Sequence, residues 1–104
     1  MFEPEKYKDV LTYEDFAPYI NQIFKMILSE EESAELELIE AEITGASHLK
    51  DFRDNFWLQF RDATGIERSQ NTYELEHPKK GSIPVFLIPY AKDAKGMYYQ
   101  AVFS

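Results

Sequence analysis

Cysteine is absent from the 104 residues, which excludes disulfide bridges and thiolate metal ligands. Histidine is almost as scarce. His48 and His77 are the two present, with no partner at a fixed spacing, so no metal site is expected. The four glycines are scattered; Gly81 and Gly96 stand alone in turn-like stretches and form no phosphate-binding loop. No Gly-x-Ser-x-Gly element occurs, and no Ser/His/Asp spacing suggests a nucleophile. The chain is therefore expected to carry no catalytic residues and no cofactor.

Basic residues are few and dispersed, 11 against 19 acidic ones, for a net charge of −8. Nucleic-acid binding needs clustered Lys and Arg to neutralise phosphates, and this field would repel the backbone. The longest apolar run, Ile83–Ala91, is broken by Pro84 and Pro89 and is too short to span a bilayer. The opening Met-Phe-Glu-Pro-Glu-Lys has neither the basic nor the apolar region of a secretory signal. A cytoplasmic protein with no membrane partner is the expectation.

What the chain does have is apolar and aromatic material, 44% and 15% of residues, enough to argue against disorder. One domain over 1–104 suits this length, and it should bury about 60–68% of its unfolded surface. The organising stretch is Thr72–Phe103. Thr-Tyr-Glu-Leu-Glu-His, Ile-Pro-Val-Phe-Leu-Ile-Pro-Tyr and Met-Tyr-Tyr-Gln-Ala-Val-Phe are separated by turns at Pro78–Gly81 and Ala91–Gly96, the pattern of a β-meander.

Earlier in the chain, residues 1–10 are polar, with Phe2 and Tyr7 as anchors. Thr12 with Asp15 resembles a shortened capping box, and Leu11 with Phe16 a hydrophobic staple, so a short helix is predicted near Tyr13–Tyr19. Gln22–Leu28 alternates as a first strand, and Ser29–Ser33 is an acidic turn. In Ala34–Ile43 the alternation slips phase, which predicts a β-bulge near Leu38-Ile39. A helix over Glu31–Glu42 competes on propensity, but strict Glu/Leu alternation favours the strand. Thr44–Asn55 reads as a loop with a charged run at Lys50–Asp54. Phe56–Arg61 is a third strand and Ala63–Asn71 a polar connection. The fold class is thus mainly β (α+β): an antiparallel, six-stranded, barrel-like sheet with a short N-terminal helix, its consecutive strands neighbouring one another.

Four stretches, Leu11–Pro18, Phe56–Arg61, Tyr73–Pro78 and Tyr99–Phe103, stand in an order that resembles a family of small bacterial single-domain proteins of unknown function, the DUF6916-like domain. The resemblance spans roughly residues 9 to 104, and its most specific marks are Leu75-Glu76-His77-Pro78, Gly81 and Phe86-Leu87-Ile88-Pro89. Two departures are Gln22-Ile23, where members carry a small residue, and a more charged Ser47–Asn55 loop. The resemblance implies a mostly β protein with no assigned activity, and an accessory role in a phage-tail-like assembly.

Among candidate residues, His77 between Glu76 and Pro78 reads as a base or ligand on one view and as a turn-former on the other, bonded to Tyr73 or a turn amide. Glu30-Glu31-Glu32 lacks the glycine of a calcium loop and reads as a solvated charge run. Trp57, Arg61, Tyr90, Tyr98 and Tyr99, with Arg68, are of types enriched at interface hot spots. Trp57 and Arg61 fall opposite Phe56, Leu58 and Phe60, so an interior Phe row would leave Trp57 outside, under the helix, the charged loop or another chain. Tyr98 and Tyr99 must likewise point to opposite faces. The expected function is a non-enzymatic interaction or structural protein with a protein partner or self-association; a small-molecule module using the barrel mouth is the alternative.

Overall fold

The computed structural model describes residues 11–45 and 55–103. Expectations placed on Phe2, Tyr7, His48 and Lys50–Asp54 lie outside the described residues. Helix α1 (Tyr13–Phe16) passes into a 3-10 turn (Ala17–Tyr19), and six strands follow: β1 Ile23–Ile27, β2 Ser33–Gly45, β3 Asn55–Asp62, β4 Asn71–His77, β5 Gly81–Asp93 and β6 Gly96–Phe103. All pairings are antiparallel, and the ring closes in the order β1-β2-β3-β6-β5-β4. The six expected strands and the strand reading of Ala34–Ile43 are all present.

Two long strands make the ring possible by changing partners along their length. β2 pairs with β1 over Ser33–Glu37 and with β3 over Glu37–Gly45. β5 pairs with β4 over Gly81–Leu87 and with β6 over Ile88–Asp93. The ring is therefore two sheets that share β2 and β5 at their corners, and each corner carries an irregularity, between Leu38 and Glu40 and between Pro89 and Ala91. The first is the bulge that the phase slip predicts. The second keeps Ala91–Asp93 paired with Gly96–Tyr98, so the expected turn over Ala91–Gly96 shrinks to Ala94-Lys95. Gly96 follows it at φ 148, with the Asp62 carbonyl lying where a Cβ would be.

Consecutive strands do not all neighbour one another. β3 pairs with β6 and β4 with β1, so Ala63–Gln70 crosses one end of the ring instead of forming a hairpin. Tyr99, on the inner face of β6, anchors the crossing: its hydroxyl donates to the Ile66 carbonyl and accepts from the Arg68 amide, both at 3.1 Å.

The inner faces obey period two. β3 alternates buried Phe56, Leu58, Phe60 and Asp62 with half-buried Trp57, Gln59 and Arg61. Phe24, Leu36, Leu75 and Leu87 from other strands are also fully buried, so side chains fill the ring. Helix α1 stops the other end. Phe16 is fully buried, its ring 6.3 Å from that of Phe24, 6.1 Å from Phe56 and 5.8 Å from Phe103. The expected cap is present in part: the Asp15 carboxylate accepts from the Thr12 amide at 2.8 Å and hydroxyl at 3.1 Å, and from Lys80 at 3.0 Å. Burial alone would raise the Asp15 carboxyl; the Thr12 amide and Lys80 outweigh it and hold it below its usual value.

Candidate functional site

The sequence candidates divide into an inner and an outer set. Tyr99 is fully buried with its hydroxyl occupied, so it is a core residue and leaves the surface candidates. Arg68 is drawn inward too, its guanidinium 2.9 Å from the buried Asp62 carboxylate.

His77 is 6% exposed, packed between Tyr19 and Phe24 at ring distances of 4.5 and 4.9 Å. Its Nδ1 accepts from the Lys79 amide at 3.1 Å. That bond puts the proton of the neutral ring on Nε2, which donates to Gln22 Oε1 at 2.8 Å. The turn-amide partner is found; Tyr73 instead donates to the Ser69 carbonyl. Both ring nitrogens are spent on structure, although His77 also lines the groove over β1 and β4.

Burial, and then the charges of Lys79 and Lys80, lower the pKa of His77 below 6.5. Because the folded value lies below the unfolded one, the neutral ring contributes stability above pH 6.5 that is lost as pH falls through the folded value. The urea midpoint of the protein is expected to drop as pH falls below 6.5, before the carboxylates titrate. His77→Gln should be less stable at neutral pH but lack this step, and an equal step in the variant would assign it to another group such as His48.

The outer set gathers on one sheet. Across β2, β3 and β6, Glu37 lies beside Arg61 and Arg61 beside Tyr98; two rows on, past Glu40, Gln59 and Gln100, Glu42 lies beside Trp57 and Trp57 beside Val102. The Arg61 guanidinium meets the Glu37 carboxylate at 2.5 Å. The bulge in β5 sets Tyr90 and Ala91 opposite Tyr98, and the Tyr90 and Tyr98 rings lie 6.2 Å apart at 51°. The Tyr98 hydroxyl donates to the two Asp93 carboxylate oxygens at 3.2 and 3.1 Å. Burial, then Asp93, raises the Tyr98 hydroxyl above its usual value; burial, then Glu40 and Tyr98, does the same for Tyr90.

Exposure along this face is uneven in a telling way. Val102 is 60% exposed and Tyr90 45%, although both stand beside other apolar groups. Helix α1 does not cover Trp57: it packs on the ring's inside, Tyr13 edge-on to Phe56 and Phe16 beside it. Sequence reading names Trp57, Arg61, Tyr90 and Tyr98 but misses Val102, Glu40 and Asp93. The alternation of β6 already puts Val102 with Tyr98. The place of Glu40 depends on the β2 bulge, which the phase slip at Leu38-Ile39 signals.

A second feature lies on the opposite sheet, a groove of about 630 Å³ over β1 and β4. Lys25 stands in it between Glu35 and Glu76, with Ile23, Pro78 and Ser82 around them. At the acidic turn the Ser29 hydroxyl accepts from the amides of Glu31 and Glu32. Among the described residues no three His, Cys, Asp or Glu are grouped so as to hold a metal ion. None of the described helices is long and apolar enough to cross a membrane.

In comparison with known proteins the chain matches the model of a family described as "Domain of unknown function (DUF6916)" over residues 11–103. No curated protein and no solved structure matches the chain.

Proposed function

From the premise that this chain belongs to the DUF6916 family of domains of unknown function, we propose that it is a non-enzymatic interaction protein which docks a protein partner on the outer face of β3, β6 and the second half of β5. One observation carries this reading. The ring interior is filled by its own side chains, while Trp57, Val102, Tyr98 and Tyr90 remain on the outside of one sheet. Large amphipathic rings with an arginine at their centre are the usual material of interface hot spots.

The reading takes in a cytoplasmic location, and an accessory role in a phage-tail-like assembly as its setting. The small-molecule alternative loses its expected place, because Phe16 fills the mouth of the ring. It retains the groove beside Lys25, whose size suits a small ligand.

Affinity capture of the tagged protein from its native lysate, followed by light scattering, tests the docking face. A stoichiometric partner or a self-associated species is expected for the wild type. Trp57→Ala should weaken the association by about 2 kcal/mol, roughly 30-fold. If Trp57→Ala unfolds at lower denaturant yet keeps its association, the side chain is structural and the docking face is wrong. A clean monomer without a partner would move the function to the groove.

A further inference from the structure

We propose that the docking face is a receptor for arginine side chains of a basic partner, with the notch between Tyr90 and Tyr98 as its cation-binding pocket. The inference rests on the docking reading above and names the chemistry of the partner.

The choice of occupant follows from charge. Glu37, Glu40, Glu42 and Asp93 rim the face, and Arg61 at its centre is already engaged by Glu37. The chain as a whole carries −8. A second copy laid on this face would bring carboxylates against carboxylates, whereas a basic segment would meet an opposite charge at each side.

The notch has the parts of a guanidinium site. Two phenol rings stand 6.2 Å apart and inclined at 51°, open to solvent on the Tyr90 side. Asp93 accepts from the Tyr98 hydroxyl, and Glu40 stands on the same outer face two strands from β6, in line with Gln59 and Gln100, so the notch has one carboxylate in contact and another at its acidic border. A planar cation can lie on a phenol face while its N–H groups reach a carboxylate, which suits arginine better than lysine. The same face already shows such an arrangement, with the Arg61 guanidinium bonded to Glu37 beside Tyr98. The Tyr90 hydroxyl makes no hydrogen bond to another described residue, and its ring, 45% exposed, packs only on its Tyr98 side.

The β5 irregularity completes this notch. Alternation from Ile88, paired with Gln100, already puts Tyr90 on the face of Tyr98, and the extra residue between Pro89 and Ala91 shifts the phase so that Ala91 and Asp93 join the same face.

The chain's single tryptophan, Trp57, lies on the same face and reports binding by fluorescence. The probes are three short peptides, an arginine–glycine repeat, its lysine–glycine counterpart and the neutral citrulline–glycine isostere. The arginine peptide should bind most tightly, the lysine peptide more weakly and the citrulline peptide not measurably. Tyr90→Ala and Glu40→Gln should each weaken the arginine peptide by about 3- to 30-fold. Equal binding of arginine and lysine peptides, unchanged in both variants, would reduce the effect to general attraction by an acidic surface and overturn the proposal. So would a wild-type dimer that Tyr90→Ala dissolves without any response to the arginine peptide. A lysate partner lost in Trp57→Ala but untouched by Tyr90→Ala and Glu40→Gln leaves the docking face standing and removes the cation pocket; a partner indifferent to Trp57→Ala removes the docking face itself.

Discussion

Asp62→Ala is expected to destabilise the protein by about 3 kcal/mol, at the lower end of what breaking a buried ion pair costs. Asp62 is 1% exposed and does three things at the end of β3. One oxygen pairs with Arg68 at 2.9 Å; the other accepts from the Thr64 amide at 2.9 Å and the Thr64 hydroxyl at 2.7 Å. Alanine would leave the Arg68 charge half-enclosed without its partner and a turn amide unsatisfied. Because the Arg68 side chain keeps 20% exposure, water relieves part of that loss, which is why the lower figure applies. The consequence extends beyond the pair. Ala63–Gln70 is the segment that carries the chain across the ring from β3 to β4, and Tyr99 holds it only if Ile66 and Arg68 stay in place. Asp62→Asn keeps an acceptor for Thr64 and should lose roughly half as much. Urea unfolding followed by Trp57 fluorescence measures both variants. A loss below about 1 kcal/mol for Asp62→Ala would mean that the pair behaves as an ordinary surface ion pair.

Phe16→Ala is expected to cost about 3–5 kcal/mol and to open the end of the ring. The ring of Phe16 is fully buried against those of Phe24, Phe56 and Phe103, which come from β1, β3 and β6. Phe56 and Phe103 are themselves stacked at 4.5 Å and 7°, so the cavity left by truncation has rigid walls and cannot collapse readily. A helix of four residues has almost no stability of its own; it exists because Phe16 is held there. Amide exchange should therefore quicken first at Tyr13–Tyr19, with β3 and β6 less affected. Phe16→Leu should retain most of the stability. If Phe16→Ala shifts the urea midpoint by less than about 1 kcal/mol, the helix is an appendage and the ring is closed by its strands alone.

Much of the architecture was legible in local pattern. Alternation placed Phe56, Leu58 and Phe60 inward and Trp57 and Arg61 outward, because side chains on a strand must point to opposite faces. The slip at Leu38-Ile39 announced the β2 bulge for the same reason: a change of phase within one strand needs an extra residue. Asp93 shows where that logic stops. Alternation carries Phe86, Ile88 and Tyr90 outward, but the irregularity that turns Ala91 and Asp93 to the same face can be located only when β6 lies beside β5.

The candidate face divides along the same line. That either Tyr98 or Tyr99 is buried follows from their adjacency, but which one depends on whether Met97, Tyr99 and Ala101 or Tyr98, Gln100 and Val102 meet the core, and the register with β3 decides it. His77 could be narrowed to turn-former by its place before Pro78, whereas Gln22, its partner 55 residues away, is invisible in the local sequence.

The sequence by itself determined the strand composition, the short capped helix, the acidic charge and the lack of thiol, metal and nucleophile motifs, since these are properties of neighbouring residues and of totals. Only the tertiary structure decided that β3 lies against β6 and β4 against β1, and that Glu40, Tyr90, Tyr98 and Asp93 share one face. Pairing between distant strands is chosen by the closing of the whole ring around one core, a condition that no single segment carries.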